Sequence, residues 1–390
     1  MDKLWNKNYT KVWVANFMLF LSFMLLMPLL PLYLSETFGA NKQTIGIVLS
    51  GYIITALLSR PFSGYLVDSF PRKAVLLICY SIFALFFAGY LAAGSLVLFA
   101  IVRTLHGAPF GATTVASSTT AIDVLPSSRR AEGIGYYGLS NNIATAIGPT
   151  IAVYILQFTG NYNILFALSL GLALIGFIID CTVDLPSRPL VKHHSKLSMD
   201  HFFLLPAWSE AIVMFCFGFS YSVVSTYLAI YGKEELGITS GTALYFALLS
   251  AGLILSRVTG GHSLRQGKIV RNAIMGMLVS LLGYALFAGV HNEFAYYTSA
   301  LIIGLGNGHM FPAIQNMFIN LAHKNKRGTA NSTFLISWDS GVGIGILLGG
   351  VVAEAFGYHL AFWMSCLVNA LGVIWFVSYA KGSYNQHKIL

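Results

Sequence analysis

The sequence predicts an all-α membrane protein whose twelve transmembrane helices form two pseudo-symmetric six-helix bundles. Three observations carry this. The 390-residue chain is 56% hydrophobic and only 9% charged, with a mean hydropathy of +0.71, whereas a soluble domain carries about 25% charged residues. Its apolar residues gather into twelve segments of membrane-crossing length. A shift of 197 residues lays the second half of the chain on the first.

The segments run near residues 11–34, 43–68, 73–94, 96–124, 132–156, 162–184, 206–231, 240–263, 269–290, 294–322, 328–353 and 358–380. A bilayer core takes about 20 residues of helix, so each spans once. The first, from Lys11 to Tyr33, is too long for a secretory signal and has no small-residue cleavage site, so it is read as a retained span. Connections are short except between Leu185 and Leu205, where Arg188, Lys192, His193, His194 and Lys196 mark a linker. This predicts a first bundle over 1–185, a linker over 186–205 and a second bundle over 206–390.

Basic residues set the orientation. The termini, the linker and alternate loops hold 18 lysines and arginines, and the opposite loops hold two, Lys42 and Lys233. By the positive-inside rule both termini and the linker face the cytoplasm of a cell (inner) membrane. The 197-residue shift sets Leu58-Ser59-Arg60 on Leu255-Ser256-Arg257. It also sets Gly64 on Gly261, Gly107 and Gly111 on Gly304 and Gly308, Arg130 on Arg327, Ser140 on Ser337, Gly148 on Gly345 and Gly160 on Gly357. Parallel repeats of this kind put a pathway on the axis between them.

The same features exclude other classes. The basic residues lie in loops and not in a stripe interleaved with aromatics, so no nucleic-acid partner is expected. Cys79, Cys181, Cys216 and Cys366 lack metal-ligand spacing and read as buried small hydrophobes, so neither a metal nor a cofactor is expected. No Ser-His or His-Asp arrangement marks an intramembrane enzyme, and no Walker loop marks ATP-driven transport. The chain is read as a non-enzyme that works as a monomer in the lipid bilayer.

Residues 60–76, RPFSGYLVDSFPRKAVL, concentrate charge in a short turn between two apolar segments. Gly64 lets another helix approach. Asp68 and Arg72 are four residues apart, close enough to pair, and Asp123 ends the fourth segment on the same side. The three form a candidate interfacial cluster. Gly64-x-Leu66-x-Asp68-x-x-x-Arg72-Lys73 resembles the loop signature of the major facilitator superfamily. Ser69 and Pro71 depart from that pattern, standing where the family usually has a base and a glycine. The resemblance implies a conformational latch, with Asp68 facing a helix N-terminus near Arg327-Gly328, where free N–H groups favour an anion.

Arg103 lies in FAIVRTLHGAPFG and, with Gly107, resembles an intramembrane Arg-x-x-x-Gly pattern of the same family. It sits about 10 Å below the surface at 1.5 Å per residue, a depth at which a cation costs several kcal/mol unless paired or hydrated. His106 shares its face. The pair reads either as a structural tie or as a site handling protons or substrate. Gly148-Pro149, in NNIATAIGPTIAV, resembles the helix-kink motif of the superfamily's exporter branch, although the glycine pair usual after the proline is replaced by Ala152 and Val153.

Asp339 lies about 16 Å into the eleventh segment by the same rise. An acid at that depth is a functional-site candidate, able to take and release a proton; a fixed hydrogen bond or salt bridge to a neighbouring helix is the other reading. Trp338 beside it can stack on a flat or cationic substrate, and SGVGIG after it lets the backbone bend. Asn16, Asn142, Tyr221, Tyr227, Asn307, His309 and Gln315 are substrate-cavity candidates, each alternatively a helix-packing hydrogen bond. Glu210 reads as a dipole-complementing charge and Asp180 as interfacial.

The expected function is secondary transport: export of a small amphiphilic or cationic molecule against proton entry. The alternative is a proton-coupled symporter importing a sugar, organic acid or peptide-like solute. A transporter-derived receptor or scaffold is a third reading.

Overall fold

The computed structural model describes residues 3–126, 129–185, 203–238, 241–265, 267–322 and 326–389. Among them every regular element is helical: α1 (Lys7–Met24), α2 (Leu30–Phe38), α3 (Lys42–Ser69), α4 (Arg72–Ala92), α5 (Leu96–Val124), α6 (Arg130–Thr159), α7 (Tyr162–Cys181), α8 (Trp208–Glu235), α9 (Gly241–Arg265), α10 (Ile269–Gly289), α11 (Glu293–Asn320), α12 (Arg327–Phe356), α13 (Tyr358–Trp375) and α14 (Lys381–His387). Nine of these, α3 to α8, α10, α12 and α13, are long and apolar enough to cross a membrane. The linker expected over 186–205 lies, up to residue 202, outside the described residues.

One expectation about the helices needs correction. The first segment is not one helix: the chain leaves α1 at Met24, turns through 25–29 and resumes as α2. Pro28 and Pro31 account for the break, because each removes a backbone donor and crowds the preceding turn. The SGVGIG stretch lies inside α12, which runs unbroken from Arg327 to Phe356. Its glycines serve close packing. A methyl on Gly341 would meet the Phe215 carbonyl of α8, one on Gly345 would meet Ser222 and Phe219, and one on Gly218 of α8 would meet the Trp338 carbonyl.

Two compact units make up the chain: residues 1–40, 51–204 and 324–333, and residues 41–50, 205–323 and 334–390. In the first, α1 packs on α6 and α7, and α4 on α5 and α7. In the second, α11 lies between α9 and α10, and α13 packs on α8 and α10. Leu85, Val97, Phe158, Leu282, Phe294 and Ile374 are among many large apolar side chains left outside, as a lipid solvent requires.

The repeat is physical. A methyl on Gly107 would strike the Tyr52 carbonyl and one on Gly304 the Leu249 carbonyl; Gly111 faces Ala56 and Ser59, and Gly308 faces Leu253 and Ser256. All five pairings obey the 197-residue shift, so α3–α5 and α9–α11 are the same backbone-to-backbone contact built twice. The ends match too. Ser95 accepts from Leu98 N–H at the start of α5, and Asn292 from Ala295 N–H at the start of α11, each supplying an N-cap oxygen. Gly160 and Gly357, with φ of 61° and 86°, follow the last residues of α6 and α12, where positive φ favours glycine.

Candidate functional site

The polar side chains expected along a pathway fall into separate groups. In the first unit, Arg103 of α5 is 1% exposed. Its guanidinium lies 3.9 Å from the Tyr52 ring centroid and 5.7 Å from that of Phe23. It donates to Tyr90 Oη at 3.3 Å and to Met27 Sδ at 2.9 Å, while Nε is unbonded. No carboxylate pairs with it among the described residues. Tyr90 Oη also bonds His106 Nδ1 at 2.8 Å, leaving His106 Nε2 unbonded inside a cage of Phe83, Phe86 and Phe87. Arg103 and His106 are therefore joined through one phenol, with the cation held mostly by aromatic faces.

Asn16 belongs to a closed knot and not to an open wall. Its Nδ2 donates to Ser140 Oγ at 2.7 Å and Asn141 Oδ1 at 2.6 Å, and its Oδ1 accepts from Tyr137 Oη at 2.7 Å. The knot ties α1 to α6, and Tyr137 also reaches Ser117 of α5 at 2.8 Å. Asn16→Ala is expected to cost about 1–3 kcal/mol, because buried partners lose their bonds; thermal unfolding of the purified variant measures it. Asn142, half-buried on α6, leaves Nδ2 unbonded. The 197-residue shift sets Asn142 on Asp339. Gly148 seats α6 on the end of α1, its absent methyl 2.8 Å from Met24 Cβ, and α6 continues through Pro149.

In the loop stretch, Arg72 pairs with Asp123 and its Nε donates to the Val67 carbonyl at 3.3 Å. Lys73 Nζ donates to the Val183 carbonyl at 2.9 Å. The Asp68 side chain lies outside the described residues. Within the first unit the start of α12 is tied to α3 and α5: Ser332 Oγ donates to the Arg60 carbonyl at 3.0 Å and Asn331 Nδ2 to Ser118 Oγ at 2.5 Å. A double-mutant cycle on Arg72→Ala and Asp123→Ala is expected to return about 1 kcal/mol of coupling, the size of a partly exposed ion pair.

In the second unit, half-buried Asp339 follows Trp338 on α12. Trp338 lies 5.5 Å from Tyr221 and 5.4 Å from Phe311, centroid to centroid, and Gln315 is half-buried one turn beyond Phe311 on α11. Tyr227 Oη donates to the Ile346 carbonyl at 2.7 Å. His309 sits between Thr259 Oγ1 at 2.9 Å and Asn272 Oδ1 at 3.0 Å, and Asn307 accepts from Ser280 at 2.9 Å. These last three act as helix ties; Tyr221 and Trp338 form an aromatic pair, and Asp339 follows Trp338 on the same helix.

Two acids stand at helix ends, Asp180 near the end of α7 and Glu210 in the first turn of α8, and their full enclosure is what the sequence did not announce. Asp180 and Glu210 are each 0% exposed, and none of their four carboxylate oxygens is bonded. The signal was available for Asp180: Ser169, Ala173 and Gly176 precede it at helical spacing and form the buried face of α7. Cys181, next to it, is exposed.

Comparison with known proteins agrees with the fold. A family model described as Major Facilitator Superfamily matches residues 12–345 and 273–388. The chain is a multi-pass membrane protein that belongs to this superfamily of transporters, and it is not an enzyme. It is 23% identical over 385 residues to the staphylopine export protein of Staphylococcus aureus, covering 94% of each chain. It is 22% identical to the multi-drug resistance efflux pump PmrA of Streptococcus pneumoniae, covering 94% of this chain and 96% of PmrA. The human organic anion transporter MFSD10 superposes with a TM-score of 0.80 at 16% identity, covering 94% of this chain and 98% of that one.

Proposed function

We propose that this chain exports a small amphiphilic or cationic molecule in exchange for protons, by alternating access. The observation that carries this reading is its end-to-end alignment with proteins named for export or efflux, over 94% of this chain in both cases. In this reading the nine helices apolar and long enough to cross a membrane are joined by α1–α2, α9 and α11 to make twelve spans. In this reading residues 1–185 and 206–390 rock about the linker 186–205. The termini and linker face the cytoplasm, and the protein works as a monomer in the cell (inner) membrane.

Asp339 takes the proton, and its change of charge biases the two states. Arg103 and His106, linked through Tyr90, respond to that change in the first unit. Gly64, Asp68, Arg72, Lys73 and Asp123 make the latch; the Arg72–Asp123 pair and the anchored start of α12 support it. Trp338 and Tyr221 offer flat faces to the substrate. Flux in proteoliposomes under an imposed pH gradient tests the reading. Substrate is expected to move opposite to the protons, and substrate moving with them would replace export by symport.

A further inference from the structure

Asp180 is the residue before the end of α7, packed by α1, α4 and α6. The titratable groups facing it are Tyr80 of α4 and Tyr137 of α6, both within electrostatic reach of its carboxyl, with Tyr9 of α1 beside Tyr137. All three phenols are committed elsewhere. Tyr80 donates to the Ala15 carbonyl at 3.1 Å, Tyr137 donates to Asn16 and accepts from Ser117, and Tyr9 donates to the Gly133 carbonyl at 2.6 Å. Among the described residues, Lys11 of α1 and Lys73 of α4 bring cations to this end of α7. Each bonds a carbonyl just beyond Asp180, Lys11 at Thr182 and Lys73 at Val183. An ionised carboxylate with no donor in such a place is strongly disfavoured, and a protonated one is not.

We propose that Asp180 is a proton-binding site separate from Asp339, whose deprotonation draws Lys11 or Lys73 off its carbonyl and onto the carboxylate. The O–H bond of the carboxyl breaks, the proton passes to water, and the ammonium group replaces it as partner. The path is short, because Cys181, Thr182 and Asp184 are exposed. A proton needs no cavity, so the tight packing around Asp180 is no obstacle. The site ties the protonation state to the end of α7, where the chain enters the linker, and to Lys73 of the loop stretch.

Infrared spectra of the full-length protein in liposomes, titrated across the neutral range, test this without any transport measurement. The wild type is expected to show a protonated-carboxyl C=O component that is missing from Asp180→Asn and kept in Glu210→Gln, the other buried acid without a hydrogen-bond partner among the described residues. The band remains in Asp339→Asn, which keeps this result distinct from the fate of the export reading. In the Lys11→Gln, Lys73→Gln double variant the band is expected to persist to higher pH, a comparison that stands even where Asp180→Asn does not fold. Identical carboxyl bands in wild type and Asp180→Asn, or a titration unmoved by removal of both lysines, overturns the proposal.

Discussion

Asp339→Asn is expected to abolish accumulation of substrate driven by a pH gradient while leaving the protein folded and still able to exchange substrate for substrate. Asparagine keeps the size and hydrogen-bonding capacity of the side chain but cannot change charge, so it freezes whichever partner arrangement it favours. With one proton exchanged per substrate, each unit of the pH gradient is worth about 1.4 kcal/mol and supports about tenfold accumulation, and that accumulation is what the variant loses. The readout is the ratio of gradient-driven flux to counterflow in the same liposomes. An unchanged ratio removes Asp339 from the coupling role. The half-buried position beside Trp338, near the middle of a 30-residue helix, motivates the test.

The second large effect concerns stability and comes in a matched pair. Gly107→Ala and Gly304→Ala are each expected to lower stability by about 1–3 kcal/mol, the cost of overpacking a close contact. The added methyl faces backbone carbonyls, Tyr52 in one case and Leu249 in the other, and a backbone carbonyl cannot swing aside as a flexible side chain can. Thermal unfolding in one detergent gives both values. Similar losses follow from the shared geometry; a loss at only one position means that the two helix pairs do not share the load equally. Gly135→Ala, where the structure leaves open space, serves as the control.

Much of the fold was legible because it follows from sums over many residues. Apolar length located the helices, and a single offset located the glycine contacts now seen at Gly107, Gly111, Gly304 and Gly308. The Arg72–Asp123 pair was legible because opposite charges at one membrane face have few alternatives. What escaped depends on partners that a linear reading does not supply. Glycine serves bending and close approach alike, so the packing of Gly341 and Gly345 on α8 was not legible until α8 stood against them. Asn16 and His309 were read as cavity candidates or helix-packing hydrogen bonds, and only the fold supplies their partners: one closes a knot with Ser140, Asn141 and Tyr137, and the other bridges Thr259 and Asn272. Pro28 and Pro31 were visible, yet the apolar run around them outweighed their effect on the backbone.

That proline-broken stretch has a mechanical consequence. Pro28 and Pro31 take backbone donors out of this stretch, so 25–29 offers slack inside an otherwise apolar run. Met27, in the middle of that stretch, holds the Arg103 guanidinium through sulfur, a soft grip on a buried cation. Small changes in the pitch of α2 would thus be felt directly at Arg103, as a lever is felt at its pivot.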